Sequence, residues 1–124
     1  MIKYIIPTVI LLLLDTIYLT STKSITYPQI KNIQGSLIKL NIWSAILCYI
    51  TIVLGLYYFI WKNHRPVKDA FLLGLFVYGV YEFTNYAIFK DWILLVVILD
   101  IIWGGILFAL TTFIFYYIEK KYKL

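Results

Sequence analysis

The chain has 124 residues, of which 63% are hydrophobic, 19% aromatic and only 14% charged. A soluble domain of this length leaves much of its surface in water and cannot hide that much apolar side chain, so the composition excludes a soluble globule and makes lipid the solvent. The net charge is +5, but the basic residues gather at the ends of apolar runs, as in membrane anchoring, and no soluble basic–aromatic face is left for nucleic acid.

Cys48 and His64 are each the sole residue of their type. An intrachain disulfide is therefore excluded. A metal centre is not expected from one His and one Cys far apart, and no cofactor is implied.

A spanning helix needs ~20 mostly apolar residues, and the chain supplies four such runs within one compact unit, 1–124. The first covers about 4–20. Lys3 and a Leu-rich run give it the look of a signal peptide, but Asp15 interrupts the apolar region and no small-x-small site follows, so a retained span is expected. Pro7 falls in its first turn, where a missing N–H costs little. The segment 21–39 is the longest connection. Its interleaved Ile25, Tyr27, Ile30, Ile33 and Leu37 fit either an interfacial amphipathic helix or a solvated loop.

The second span covers about 40–61. Asn41, Ser44, Cys48, Thr51 and Gly55 recur at helical spacing, a small and polar face of the kind that packs helices together in membranes. Tyr57, Tyr58 and Trp61 crowd its end like an aromatic belt. The basic turn KNHRPVK precedes the third span, about 69–89, which carries Gly74, Tyr78, Gly79, Tyr81, Glu82, Asn85 and Phe89. Lys90, Asp91 and Trp92 make a short hinge into the fourth span, about 93–117. There Asp100, Trp103, Gly104, Leu107 and Thr111 share a face, with Gly105 beside it. Gly74, Gly79, Gly104 and Gly105 are read as helix-packing positions. The expected fold is all-α, an integral membrane four-helix bundle.

With four spans, the termini and the second loop share one side. That side carries Lys3, Lys62, Arg65, Lys68, Lys120, Lys121 and Lys123, against Lys23, Lys31, Lys39 and Lys90 on the other. By the positive-inside rule both termini face the cytoplasm.

Three acids lie inside the spans, where a carboxylate costs from ~2.5 to more than ~10 kcal/mol. At ~1.5 Å of rise per residue, Asp15 is ~7 Å from the outer end of its span, while Glu82 and Asp100 are ~12 Å from theirs. Three helices thus present acids in the same half of the bilayer. Tyr18 follows Asp15 by one turn, and Tyr78, Tyr81, Thr84, Asn85 and Trp103 supply polar groups near the other two. Asn or Ser would hold helices in register more cheaply than an acid. The group is therefore read as a polar site: Asp15, Tyr18, Tyr78, Tyr81, Glu82, Thr84, Asn85, Asp100 and Trp103. No cation is placed to pair with it, although Lys39 could reach down from its helix end.

The segments YGVYEFTN (Tyr78 to Asn85), KDW (Lys90 to Trp92) and DIIWGGIL (Asp100 to Leu107) resemble a family of small four-span predicted membrane proteins of bacteria and large DNA viruses, classed as a domain of unknown function. Its motifs are D-x-x-W-L in span one, Y-G-x-Y-D-x-T-N in span three and D-x-x-W-G in span four. Asp15 to Leu19 fits the first with Tyr18 for Trp, and Glu82 stands for the usual Asp. Thr84, Asn85, Asp100, Trp103 and Gly104 fit unchanged. The resemblance implies the four-span fold and brings no activity with it.

For function, protonatable acids joined by Tyr, Asn and Thr suit transport or permeation of protons or a small cation, with a homo-oligomer completing the pathway. Alternatives are a site for a small amphipathic ligand or lipid among the aromatics, and a structural or assembly role. Catalysis is disfavoured: there is no Ser–His or Cys–His pair, no H-E-x-x-H and no phosphate loop. The bilayer is the one certain partner.

Overall fold

In the computed structural model, residues 2–36 and 40–124 are described. The chain is all-α and membrane-embedded: four of its helices are long and apolar enough to cross a bilayer. The elements are a 3-10 turn, Ile2–Tyr4, then α1 Ile5–Gln34, α2 Ile42–Leu56, α3 Val67–Ile88 and α4 Leu94–Lys121; α2 reaches spanning length with the π-turn that continues it, as Ile42–Trp61.

α1 is longer than the span expected at 4–20. It runs for 30 residues, through Pro28 and up to Gly35. Gly35 takes the left-handed conformation at φ 78° and donates its N–H to the Lys31 carbonyl, closing the helix. The stretch after Thr20, whose pattern fits either a helix or a loop, is helical as far as Gln34, and its hydroxyls bond back to the helix: Ser21 and Thr22 donate to the Ile17 and Tyr18 carbonyls at 2.8 and 2.9 Å. At 1.5 Å per residue α1 is ~45 Å long, against a hydrocarbon core of ~30 Å. Its polar last turns are the ones left beyond the apolar layer. The connection to α2 shrinks to 35–41, and Lys39 and Leu37 lie outside the described residues.

α2 starts at Asn41, which sits in extended backbone and accepts the Ser44 N–H on its side chain at 3.1 Å. This is ordinary N-capping. The helix ends in a π-turn, Tyr57–Trp61. Such a turn shifts the angular position of the residues it contains relative to the α-helix before it, and Ile60 and Trp61 are buried. Trp61 is thus a core residue rather than belt: its indole N–H donates to Thr112 Oγ1 at 3.1 Å.

Pro66 opens α3 in extended backbone, and its carbonyl accepts from Asp69 and Ala70. α3 and α4 lie closest together. A Cβ built on Gly74 would stand 2.1 Å from the Gly104 carbonyl oxygen, one on Gly104 would strike the Tyr78 ring at 2.3 Å, and one on Gly105 would meet Phe71 at 2.8 Å. Gly79 is buried but meets only its own helix's Phe83 at 3.9 Å, and Gly55 faces open space. Ser44, Cys48 and Thr51 are exposed, so the small face of α2 is not used for packing within the protomer. α2 docks through Tyr49, Ile52, Val53 and Leu56 instead. In lipid, where helix association rests on van der Waals contact rather than water exclusion, these larger side chains supply the contact.

The termini and the turn at 62–66 meet on one side, called here the terminal side. Glu119 accepts from Lys3 Nζ at 2.8 Å and lies 3.0 Å from His64 Nε2. The His64 ring stacks on Tyr116 at 3.9 Å, and the Tyr116 hydroxyl donates to the Arg65 carbonyl. On the far side, Ile93 N–H donates to Gln29 Oε1 at 2.6 Å, so a side chain from α1 caps α4. The terminal half of the interior is apolar, built on Leu11, Leu56, Ile60, Trp61, Leu107, Phe108 and Phe115. The polar level lies above it, toward the far side.

Candidate functional site

α1 and α4 run antiparallel, which places Asp15 beside Trp103 and Tyr18 beside Asp100, one helical turn apart. Each pair sets an acid against a donor, and the two pairs are reversed. Trp103 Nε1 donates to Asp15 Oδ1 at 3.0 Å, and the Tyr18 hydroxyl donates to Asp100 Oδ1 at 2.5 Å. Between them the Tyr18 and Trp103 rings stack at 4.7 Å, 1° from parallel. The second oxygen of Asp15 accepts from the Tyr49 hydroxyl of α2. Asp15 is thus buried at a three-helix junction, 6% exposed and with both oxygens engaged.

Glu82 joins from α3 and is 0% exposed. Trp92, in the α3–α4 hinge, donates its indole N–H to Glu82 Oε2 at 2.8 Å. Glu82 Oε1 meets no N–H or O–H donor among the described residues, and the Asp100 carboxyl neighbours it from α4. Two ionised carboxylates offer acceptors alone. That contact becomes a hydrogen bond only when a proton is held between them. Ion pairs among the described residues involve Glu119 and Asp69, both on the terminal side, and none of the described cations pairs with Asp15, Glu82 or Asp100.

Of the expected site residues, the structure brings together Asp15, Tyr18, Glu82, Asp100 and Trp103. Tyr78 lies against the Gly104 backbone and, edge-on, against Phe108 at 6.0 Å. Tyr81 is 58% exposed and stands edge-on to Trp92 at 6.4 Å. Asn85 is half-buried, and its backbone carbonyl accepts from Phe89 at the end of α3. Thr84 is exposed on the outside of α3, in a shallow groove with Val80 and Phe83, away from the acids. Among the described residues no three His, Cys, Asp or Glu side chains are set to hold a metal ion.

Tyr49, Trp92 and Gln29 join the site or its frame without a clear mark in the sequence. Tyr49 had a signal: counted from Leu40 it lies ~13 Å into its span, near the ~12 Å depth of Glu82 and Asp100. Trp92 sits in the KDW hinge, one residue outside a span. Gln29 falls in the segment whose composition fits a loop as well as a helix.

These features define a multi-pass α-helical membrane protein with a hydrogen-bonded carboxylate network at its helix junction. The chain belongs to the predicted membrane protein family DUF2177, whose model matches residues 1–117. No curated protein and no solved structure matches it.

Proposed function

We propose that the protein passes protons, or a small cation, across its membrane, with Glu82 and Asp100 as the exchanging pair. The observation that carries this reading is the pairing of Glu82 with Asp100: a wholly buried carboxyl neighbouring a second carboxyl, with no cation paired to either among the described residues. A static helix joint has no use for that arrangement, because like acids repel unless a proton is taken up. Tyr18 extends the pair to α1, and its stacked partner Trp103 leads to Asp15 and Tyr49.

The aromatic rings favour a proton over a bulkier ligand. Tyr18 and Trp103 lie on each other, and Tyr78 on Gly104. They fill the space an amphipathic molecule would need. The apolar terminal half interrupts the path within one protomer. Passage there calls for a homo-oligomer or a rearrangement that admits water near Thr111, whose buried hydroxyl has no partner among the described residues. In this reading the chain acts as one unit over 1–124, with both termini in the cytoplasm.

The test is pH-gradient-driven flux into liposomes holding the purified protein, with Asp100→Asn and Glu82→Gln beside the wild type. Flux in the wild type that disappears in folded variants is expected. An absence of flux in all three would overturn the reading in favour of a ligand site or a structural bundle.

A further inference from the structure

We infer that Trp92 is the positioning residue that closes the far-side approach to Glu82. The inference deepens the proposed function, since it concerns how the same acid pair reaches water, but it stands on separate contacts.

Glu82 is engaged twice. Its carboxyl meets Asp100, and Oε2 is held by the Trp92 indole N–H. Trp92 is half-buried and belongs to no helix. It lies in the hinge 89–93, between Phe89, the last cap of α3, and Ile93, the first cap of α4, both in extended backbone. Its ring rests against Tyr81 at 6.4 Å and Phe89 at 6.1 Å, on the far side of the acid. Among the described residues it is the hydrogen-bonding group of the hinge that reaches Glu82.

The hinge itself is fixed from across the bundle. Gln29 of α1, 1% exposed, takes the Ile93 N–H, the next residue along. That contact sets where the hinge enters α4, and the Trp92 backbone N–H bonds the Phe89 carbonyl at 3.2 Å. With its own backbone and that of Ile93 anchored, the indole can leave Glu82 by turning about its own side-chain bonds, without unwinding α3 or α4. Its departure bares Oε2 to the far side while the carboxyl stays beside Asp100. An indole with one N–H suits this task. It gives the closed state a hydrogen bond and an apolar plug, and unlike a Lys or Arg it does not fix the charge of the acid.

The test is carboxyl modification in nanodiscs, where both faces meet the reagent, using a water-soluble carbodiimide with glycine ethyl ester. Peptide mass spectrometry then reads the adduct at Glu82. Wild type, Trp92→Phe and Trp92→Ala are compared. Trp92→Phe keeps the ring and removes the N–H. It is expected to raise modification of Glu82 about tenfold, the order expected for one hydrogen bond to a carboxylate, with Asp15 unchanged. Equal modification of Glu82 in wild type and Trp92→Phe would overturn the inference. So would a rise shared by Asp15, which would signal general loosening. Trp92→Ala is expected to exceed Trp92→Phe. The measurement needs no proton flux, so a bundle that conducts nothing yet opens Glu82 in Trp92→Phe would keep the closure and remove the transport reading.

Discussion

Gly74 and Gly104 touch backbone to backbone across α3 and α4, so closely that any side chain at Gly74 would overlap a carbonyl oxygen that cannot move aside. Substitution by Val is expected to cost about 1–3 kcal/mol, the usual range for overpacking. Gly79→Ala, further along the same helix, meets only Phe83 at 3.9 Å and is expected to leave stability unchanged. Thermal unfolding of the two variants in detergent checks the contrast.

The Asp15–Trp103 bond joins α1 to α4 in an environment without water to replace it. A double-mutant cycle with Asp15→Ala and Trp103→Phe, each of which removes one partner of the bond, is expected to give a favourable coupling of ~0.6 kcal/mol, up to ~1.7, as for other interhelical bonds in membranes. Unfolding in mixed micelles measures it. The same cycle between Asp15 and Thr84, which is exposed on α3, is expected to give none.

If Glu82 and Asp100 share a proton, infrared spectra at neutral pH contain the carbonyl stretch of a protonated carboxylic acid. Glu82→Gln and Asp100→Asn are each expected to remove or shift that band. Asp69→Asn, which changes the Arg65 partner on the terminal side, is expected to leave it in place. A band untouched by both buried-acid variants would count against a shared proton.

The contacts of Glu119 with Lys3 and His64 require the N-terminus, the turn at 62–66 and the C-terminal end of α4 to lie on one side of the membrane. Single cysteines at Asn63, Lys123 and Lys90, in a Cys48→Ser background, test this with an impermeant maleimide on sealed vesicles. The first two are expected to react together from one side, and the third from the other. Reaction from the cytoplasmic side at Asn63 would fix the orientation that the lysine count favours.

The four helices are legible in the sequence because length and apolarity alone mark them in lipid. Asp15, Glu82 and Asp100 are legible too, because an acid in an apolar run is conspicuous. Legibility ends where residue type carries no contrast. Tyr49 and Trp92 are two among 12 tyrosines and four tryptophans, and only three-dimensional contact separates a donor from a belt residue. Polarity leaves 21–34 open between helix and loop, and the hydroxyls that bond back to their own helix, with Gln29 held at the start of α4, decide it. It misleads on α2, where small residues at helical spacing face outward.

The fastenings of the bundle are unevenly spread. α1 is tied to α4 at Lys3–Glu119, at Asp15–Trp103, at Tyr18–Asp100 and at Gln29–Ile93, from one end to the other. α3 is seated on α4 through glycine. α2 and its π-turn are held to their neighbours by the side-chain bonds of Tyr49 to Asp15 and Trp61 to Thr112. In a chain threaded from its N-terminus, the Tyr49–Asp15 bond is within reach once α1 and α2 are both inserted, whereas every fastening to α4 waits for the last span: Trp61, and most of α1, find their partners only when α4 arrives.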